Sequence, residues 1–389
     1  MAMDVVVTGM GFSSALGNLQ ETWAAIAAGR SGIQQRQPFR ALPPLPLAMI
    51  AEQPATLRSL TLPILQDALD DAGLTAPLLD CGVVIGSSRG NQALWEQRLI
   101  SDGSDQQADQ DPMDDWINLL PNAAAVQVAR SIQTRAIVSA PTAACATGTW
   151  AIAQGAELIR TGQCQRVIAG AVEAPITPLT IAGFSRMGAL AKTGAYPFDR
   201  GREGFVLGEG GALLVLESWE LARSRRAKIY GTILQAGLTA DAYHLSAPNP
   251  EIHTAVKAVK LCCDRSGLAY DKIDFIHAHG TATALNDRTE ANILHHLGWQ
   301  AVPISSTKGA TGHTLGASGA IGVAMGLMAL QQQAMPPCVG LHEPDFALNL
   351  VRPGQTTVAP NKRIATVLCF SFGFGGQNAV IALNHAAAR

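Results

Sequence analysis

Residues 140–159 read APTAACATGTWAIAQGAELI and place Cys145 among small, weakly polar residues just before an apolar, alanine-rich helical pattern. Such a cysteine could be a small core residue, because free cysteines are among the most buried residue types. It could also be a nucleophile at the start of a helix, where exposed N–H groups carry partial positive charge and favour the thiolate. The segment alone leaves both interpretations open.

The composition is typical of a tightly packed α/β enzyme. The chain has 389 residues, of which 15% are charged, with 38 glycines and a formal net charge of -2. This length allows two domains or two halves of one large core, and the near-neutral charge gives no reason to expect a nucleic-acid partner. The cysteines number seven and include no C-x-x-C pair. We therefore expect no disulfide framework, no metal site and a reducing compartment.

The N-terminal sequence and the longest apolar run bear on localisation. No Lys or Arg precedes Arg30, so the start of the chain lacks the basic region of a signal peptide. The apolar run at residues 316–330 is rich in Gly and Ala and shorter than the roughly 18–20 residues of a spanning helix. We interpret it as a core helix and expect a cytoplasmic protein without membrane insertion.

Short apolar runs alternate with helical patterns along the chain, which predicts layered α/β packing. Several of the apolar runs show no polar alternation, as expected for strands covered on both faces. The predicted strands are residues 4–11, 81–87, 166–173, 211–217, 273–280, 302–308, 365–373 and 378–384. The predicted helices lie near residues 20–28, 60–72, 122–131, 147–160, 251–266, 287–297 and 317–332.

Two segments fall outside this alternation. Residues 39–47, FRALPPLPL, are predicted to form an extended connector stiffened by proline. Residues 101–115 carry six Asp and no Lys or Arg, which predicts a solvated loop.

Three further motifs follow Cys145, each at the end of a predicted strand. They are HAHGTATALNDRTE at 277–290, with His279; SSTKGATGHTLGASG at 305–319, with Lys308 and His313; and FSFGFGGQNAV at 370–380, with Phe374. Singly, each is more often structural than catalytic, because glycines mark turns everywhere. Together they lie where α/β proteins place their sites.

The combined chemistry of these motifs is that of acyl transfer. A thiolate at Cys145 can attack an acyl carbonyl, and backbone N–H groups of the glycine-rich loop can hold the resulting oxyanion. Two imidazoles and one cation can stabilise a second developing charge. This is more than a simple hydrolase requires.

The sequence resembles the elongating β-ketoacyl-acyl-carrier-protein synthases of the thiolase superfamily. TAACATGT, AHGTATALNDRTE, SSTKGATGHTLGASGA, YPFDRGREGFVLGEGGALLVLE and SFGFGGQNA occur in the order and spacing of that family and span almost the whole chain. The resemblance implies an α/β fold of five layers, αβαβα, built from two similar halves. We expect an N-terminal half at residues 1–217 with the nucleophile, a C-terminal half at residues 218–389 with the histidines, and a homodimer.

The resemblance also implies a catalytic role for five residues. Cys145 corresponds to the nucleophile, and His279 and His313 to the catalytic histidines. Lys308 corresponds to the lysine that orders the second histidine, and Phe374 to the aromatic gate that also belongs to the oxyanion hole.

Substrate contacts are implied in the same way. Thr281 and Thr283 match threonines that contact the phosphopantetheine arm of the carrier protein, and Phe184 matches a phenylalanine that lines the acyl pocket. The expected partners are acyl carrier protein and its acyl and malonyl thioesters. No metal or other cofactor is expected, since phosphopantetheine arrives on the carrier.

The resemblance favours decarboxylative elongation, because His313 occupies the position that holds Asn in initiating synthases. Two alternatives remain open, a ketosynthase of a specialised polyketide, polyene or glycolipid pathway and a non-catalytic chain-length factor. An intact set of Cys145, His279 and His313 argues against the latter. The chain also departs from the fatty-acid enzymes: Gly322 replaces a glutamate, and Asn286 precedes Asp287 where GD is common.

Overall fold

The computed structural model describes residues 3–101, 118–355 and 363–385. The polar segment predicted to be a loop lies outside these residues, apart from Ser101. Within them, thirteen strands are formed: β1 Val5–Ser13, β2 Gln34–Arg36, β3 Leu45–Ala48, β4 Cys81–Gly86, β5 Val138–Ser139, β6 Arg166–Glu173, β7 Leu207–Gly208, β8 Gly210–Ser218, β9 Gly231–Ala240, β10 Phe275–His277, β11 Ile304–Ser305, β12 Thr366–Gly373 and β13 Gln377–Asn384.

The helices of the described residues connect these strands. They are α1 Leu19–Ala27, α2 Leu57–Ala72, α3 Gln92–Ser101, α4 Ala123–Ser131, α5 Thr147–Arg160, α6 Pro178–Arg186, α7 Trp219–Ser224, α8 His253–Ser266, α9 Ala284–His296, α10 Lys308–Thr311 and α11 Ser318–Gln332. One turn of 3₁₀ helix, Leu315–Ala317, precedes α11.

Ten strands form a sheet whose two ends repeat the same topology. Its order is β11-β10-β12-β13-β9-β1-β8-β6-β4-β5. In the first five-stranded set β1, β8 and β6 are antiparallel and β6, β4 and β5 are parallel. The second set repeats this pattern with β9, β13 and β12 antiparallel and β12, β10 and β11 parallel. The two sets join where β1 pairs with β9 over three residues, Val5–Val7.

Helices and strands stack in five layers, αβαβα, held together by three apolar cores. The first core packs α2 and α4 against one face of the first strand set. The second core holds α5 and α11 between the two sets. The third packs α8 and α9 against the outer face of the second set. Most strands of both sets are thus covered on both faces, which explains their nearly continuous apolar sequences.

The two central helices approach each other very closely at their N-termini. A Cβ on Gly148 would lie 2.5 Å from the backbone N of Ala320, and one on Gly319 would lie 2.7 Å from the backbone N of Thr149. Only glycine fits at these two positions. The loops that precede α5 and α11 are therefore brought together in the middle of the molecule.

Most predicted elements are confirmed, but several short elements, among them α3, α6, α7 and β5, were not predicted. The strands predicted at 273–280 and 302–308 are shorter than expected, because β10 and β11 span Phe275–His277 and Ile304–Ser305. The sequence pattern missed β9, and the proline-rich connector forms β3, which pairs with β2 and β7. The 18 residues Leu315–Gln332 are long and apolar enough to cross a membrane, but 89% of them are buried inside the fold, which confirms a core helix.

Candidate active site

Cys145 lies in the connection from β5 to α5, in a turn that holds a strained residue. Ala144 has a φ of +46°, in the left-handed region that non-glycine residues rarely adopt. Thr147 fixes the turn, because its hydroxyl accepts from the N–H of Ala143 at 2.8 Å and donates to the carbonyl of Ala144 at 2.7 Å. Cys145 is therefore held rigidly just before the first turn of α5.

Burial favours the protonated form of the Cys145 thiol. Burial raises its pKa to about 11, and this outweighs the opposing effects of the Lys308 charge and of the Phe374 N–H, which hydrogen-bonds to the sulfur. Burial therefore opposes the stabilisation of the thiolate that a helix start was expected to give. The thiol must therefore lose its proton during the reaction.

His279 follows β10 in a loop fixed by a buried carboxylate. Glu290 accepts the N–H of His279 at 2.6 Å and that of Gly280 at 2.7 Å. Lys308 donates to the carbonyl of His279, and its Nζ lies 3.4 Å from Nδ1 of the same residue. Burial, followed by the charge of Lys308, holds the pKa of His279 well below its usual value. The imidazole is therefore neutral and its Nδ1 is engaged.

His313 lies in the connection from β11 to α11, across from His279. Its backbone N–H donates to the carbonyl of Val206 at 2.7 Å, and the ring Nδ1 lies 2.7 Å from the Ser318 hydroxyl. The ring packs edge-on against Phe205, and its centroid lies 5.4 Å from that of His279. Burial, followed by the charge of Lys308, also holds the pKa of His313 well below its usual value. Among the described residues neither Nε2 has a hydrogen-bond partner, so Nε2 is the nitrogen available to a ligand in both histidines.

Lys308 is 5% exposed and serves a different histidine from the one expected. The sequence predicted that it orders His313, whereas its hydrogen bonds go to His279. Burial lowers the pKa of Lys308, and the carboxylate of Glu290 opposes this change. Its charge still reaches both imidazoles and disfavours their protonation.

Two acidic residues at the start of α9 were missed by the sequence analysis. Besides Glu290, which fixes the His279 loop, Asp287 accepts the N–H of Phe198 at 2.8 Å and that of Ala282 at 3.2 Å. Both carboxylates are fully buried, and burial raises the pKa of each above its usual value. Their positions three residues apart on one face of a predicted helix were the signal that could have found them.

A cavity of about 390 Å³ brings the predicted residues together. All of them except Lys308, which lies behind His279, line this cavity: Cys145, Phe184, His279, Thr281, Thr283, His313 and Phe374. The ring of Phe184 on α6 lies 6.2 Å from that of Phe374, which is 36% exposed. The hydroxyls of Thr281 and Thr283 lie 2.8 Å apart. The arrangement can hold a thioester against a sulfur nucleophile and two neutral imidazole donors.

Two family descriptions match most of the chain. The β-ketoacyl synthase N-terminal domain matches residues 50–222, and the β-ketoacyl synthase C-terminal domain matches residues 230–342. This chain belongs to the β-ketoacyl synthase family. The predicted family is therefore confirmed.

Related proteins match the synthase over nearly its whole length. It is 33% identical to the putative mitochondrial 3-oxoacyl-[acyl-carrier-protein] synthase of Schizosaccharomyces pombe, over 96% of this chain and 97% of that protein. It is also 33% identical to 3-oxoacyl-[acyl-carrier-protein] synthase 2 of Synechocystis, with 97% of both chains covered.

Solved structures confirm the thiolase-like fold. A type II PKS ketosynthase bound to the hexaketide, in complex with its acyl-carrier protein, matches with a TM-score of 0.90 and 28% identity over 99% of this chain and 100% of that one. A β-ketoacyl synthase from Burkholderia phymatum matches with a TM-score of 0.87 and 28% identity over the same shares.

The departures of this synthase from the fatty-acid enzymes have local structural explanations. A Cβ on Gly322 would lie 2.9 Å from Nδ1 of His277, so the His277 ring fills the space where a side chain at position 322 would begin. Asn286 donates to Asp287 at 3.1 Å and to Glu290 at 3.3 Å. Both departures are thus accommodated by local contacts near the His279 loop.

Proposed function

We propose that this synthase joins an acyl group, carried on Cys145, to a malonyl unit held on acyl carrier protein, with loss of carbon dioxide. The product is a 3-oxoacyl thioester of the carrier, and the reaction lengthens the acyl chain by one two-carbon unit. One observation carries the proposal: a single cysteine and two neutral histidines with engaged Nδ1 atoms line the same cavity.

In the first step Cys145 takes the acyl group from its carrier thioester. The sulfur attacks the carbonyl carbon, and the backbone N–H groups of Cys145 and Phe374 stabilise the oxyanion. As the carrier sulfur leaves, the proton of the Cys145 thiol passes to it, so no net proton is consumed. Because burial raises the pKa of Cys145 to about 11, the sulfur gives up this proton only after the acyl thioester is bound.

In the second step malonyl-carrier occupies the cavity beside His279 and His313. The carboxylate leaves as carbon dioxide, and its electron pair passes to the α-carbon and the thioester oxygen as an enolate. The Nε2–H groups of the two neutral imidazoles donate to that oxygen. The α-carbon then attacks the Cys145 thioester, and the cysteine leaves as a thiolate that takes up one proton. No metal or redox cofactor is required, because decarboxylation supplies the electron pair for the new bond.

We propose that the residues at the cavity mouth bind the carrier's phosphopantetheine arm and control entry to the acyl pocket. We assign Phe374, 36% exposed and near Phe184, to an aromatic gate between the carrier side and the acyl pocket. Thr281 and Thr283 would contact the phosphopantetheine arm. Phe184 packs at 5.1 Å on Phe205 and forms part of the apolar cluster around Cys145, which suits an acyl chain.

We propose that the protein is a cytoplasmic homodimer. Within each chain, the two thiolase-like halves divide after Glu217. Strand β5 lies at one end of the ten-stranded sheet and pairs only with β4 among the described residues. Ile137 and Val138 at this edge are 39% and 43% exposed. An exposed apolar strand edge is a surface on which a second copy of the chain can pair.

A specialised ketosynthase is the second candidate, because it performs the same reaction on a different chain. It is favoured by the solved ketosynthases, with 28% identity, that bind a hexaketide or pair with a chain length factor in the ishigamide ketosynthase/chain length factor complex. A non-catalytic chain-length factor is disfavoured by the intact Cys145, His279 and His313.

Mass spectrometry of the carrier protein tests the proposal. The enzyme is incubated with malonyl-carrier and a panel of acyl-carriers of different length and polarity. We expect 3-oxoacyl-carrier with the wild-type enzyme and none with Cys145→Ala, and the preferred acyl donor separates fatty-acid elongation from a specialised pathway. Hydrolysis of the acyl thioester without a lengthened product would contradict the proposed reaction.

A further inference from the structure

The two histidines are held at Nδ1 by groups of different chemistry. Lys308 lies 3.4 Å from Nδ1 of His279 and, as an ammonium, can only donate. The Ser318 hydroxyl lies 2.7 Å from Nδ1 of His313 and can either donate or accept. The single proton of the neutral His279 ring is thus fixed on Nε2, whereas that of His313 depends on Ser318.

We propose that Ser318 is a positioning residue that donates its hydroxyl proton to Nδ1 of His313 and so keeps the ring proton on Nε2. The proposal rests on the proposed function, because stabilising an enolate oxygen from two sides needs a donor on each imidazole. If Ser318 accepted from Nδ1 instead, the neutral ring would present a lone pair to the enolate oxygen and repel it.

The surroundings of Ser318 separate this role from a purely structural one. Ser318 is the first residue of α11 and is 7% exposed. The backbone of His313 is fixed to Val206 and its ring packs on Phe205, so neither depends on the serine hydroxyl. The hydroxyl of Thr314 lies 3.4 Å from that of Ser318, a long contact that can weakly favour donation by Ser318 towards the ring. Removing the hydroxyl should therefore change the tautomer of His313 more than its position.

The first test is the tautomer itself. Spectra of the substrate-free enzyme labelled with [¹⁵N]histidine, assigned with a His313→Gln variant, should show His313 as the Nε2–H tautomer. The Ser318→Ala protein should show a mixture of both tautomers. A wild-type enzyme with the proton on Nδ1 of His313 would overturn the proposal.

The second test separates the two steps of the reaction. With malonyl-carrier as the only substrate, Ser318→Ala should lower the kcat of decarboxylation by about tenfold to a hundredfold, the scale expected when a reacting donor is misdirected. Its KM should change little, and acylation of Cys145, followed by the mass of the intact enzyme, should proceed as in the wild type. Thr314→Ala, which leaves Ser318 in place, should cause a smaller loss of kcat in the same step.

Ser371→Ala is the matched control, because it removes another buried hydroxyl that pairs with Thr149 at 2.8 Å rather than with a histidine. It should lower the melting temperature about as much as Ser318→Ala and leave kcat unchanged. Equal losses of kcat in both variants, or wild-type kcat in Ser318→Ala, would overturn the role of Ser318. A wild-type enzyme that does not decarboxylate malonyl-carrier would instead overturn the proposed function.

Discussion

The two halves of the molecule share one topology but carry different chemistry. The connection that follows the third strand of each half, from β5 to α5 and from β11 to α11, leads to a central helix. In the first half this connection holds Cys145, and in the second it holds Lys308 and His313. Because Gly148 and Gly319 let the two central helices meet at their N-termini, a repeated scaffold presents the proposed nucleophile and a proposed hydrogen-bond donor to one cavity.

The connections that follow the second strand show the same division. In each half a buried glutamate accepts two consecutive backbone N–H groups: Glu173 those of Ser88 and Arg89, and Glu290 those of His279 and Gly280. Glu173 also accepts the N–H of Gly316, beside the His313 loop. A buried glutamate thus fixes this connection in both halves, while only the second connection carries a proposed catalytic side chain.

The largest expected effect is loss of the nucleophile of the first half. Cys145→Ala should abolish condensation, because no acyl-enzyme can form, and the product should fall below detection by carrier mass spectrometry. In the wild type, iodoacetamide should modify Cys145 before Cys164 or Cys262, since only Cys145 of these three lines the cavity. Peptide mapping that finds another of them labelled first would exclude Cys145 as the reactive thiol.

The next effect concerns the histidines of the second half. His279→Ala should reduce decarboxylation of malonyl-carrier by about 10²–10³-fold, the usual cost of removing one donor to a developing oxyanion. Acylation of Cys145 should persist. A decarboxylation assay measures the first effect, and the mass of the intact enzyme measures acylation. Loss of acylation with decarboxylation intact would reverse the division of chemistry between the halves.

Lys308→Ala should lower decarboxylation by about 10²-fold, because the Nδ1 partner of His279 is lost and the ring is released. Lys308→Arg should not restore the rate, since a planar guanidinium does not replace a compact ammonium in a closed pocket. Lys272→Ala is the control, because that lysine is 72% exposed and pairs with Asp271 at 3.8 Å. Steady-state rates, measured together with thermal melts, separate a loss of activity from a loss of folding. Wild-type turnover in Lys308→Ala would show that Lys308 has no role in the reaction.

The smallest expected effect is the response of decarboxylation to acid. The pKa values of His279 and His313 lie well below 6.5, so both stay neutral and the rate should not fall as the pH is lowered to 6.5. Burial lowers the pKa of Lys308 below its usual value of 10.5. The lysine should therefore lose its proton, and the rate should fall, at a lower pH than for an exposed lysine. A pH profile of the Cys145→Gln variant measures both limbs without titration of the thiol. An acid limb centred near 6.5 would show that an imidazole is readily protonated.

The sequence predicted the layered fold and most residues of the site for a physical reason. Strands covered on both faces are apolar throughout, and Cys145, His279 and His313 stand in glycine-rich turns at strand ends. The family resemblance then assigned their roles. The loop residues of the site could be predicted because each of their motifs is a short continuous stretch of sequence.

What the sequence did not reveal depends on contacts between distant segments. The repeat of strand order was not recognised in the sequence, and β9, whose pattern is broken by Gly and Thr, was missed. Lys308 lies 29 positions from His279 and 5 from His313, yet it bonds the more distant residue. The raised pKa of Cys145 likewise follows from burial, which no local motif encodes.

Decarboxylation by the Cys145→Gln enzyme tests the division between the halves most directly. Glutamine resembles an acylated cysteine in shape but cannot carry an acyl group, so this variant isolates the chemistry of the second half. We predict that it decarboxylates malonyl-carrier at least as fast as the wild type, and that the double variant Cys145→Gln with His313→Ala does so about 10²–10³-fold more slowly. A Cys145→Gln enzyme without decarboxylase activity, beside an active His313→Ala enzyme, would contradict the account.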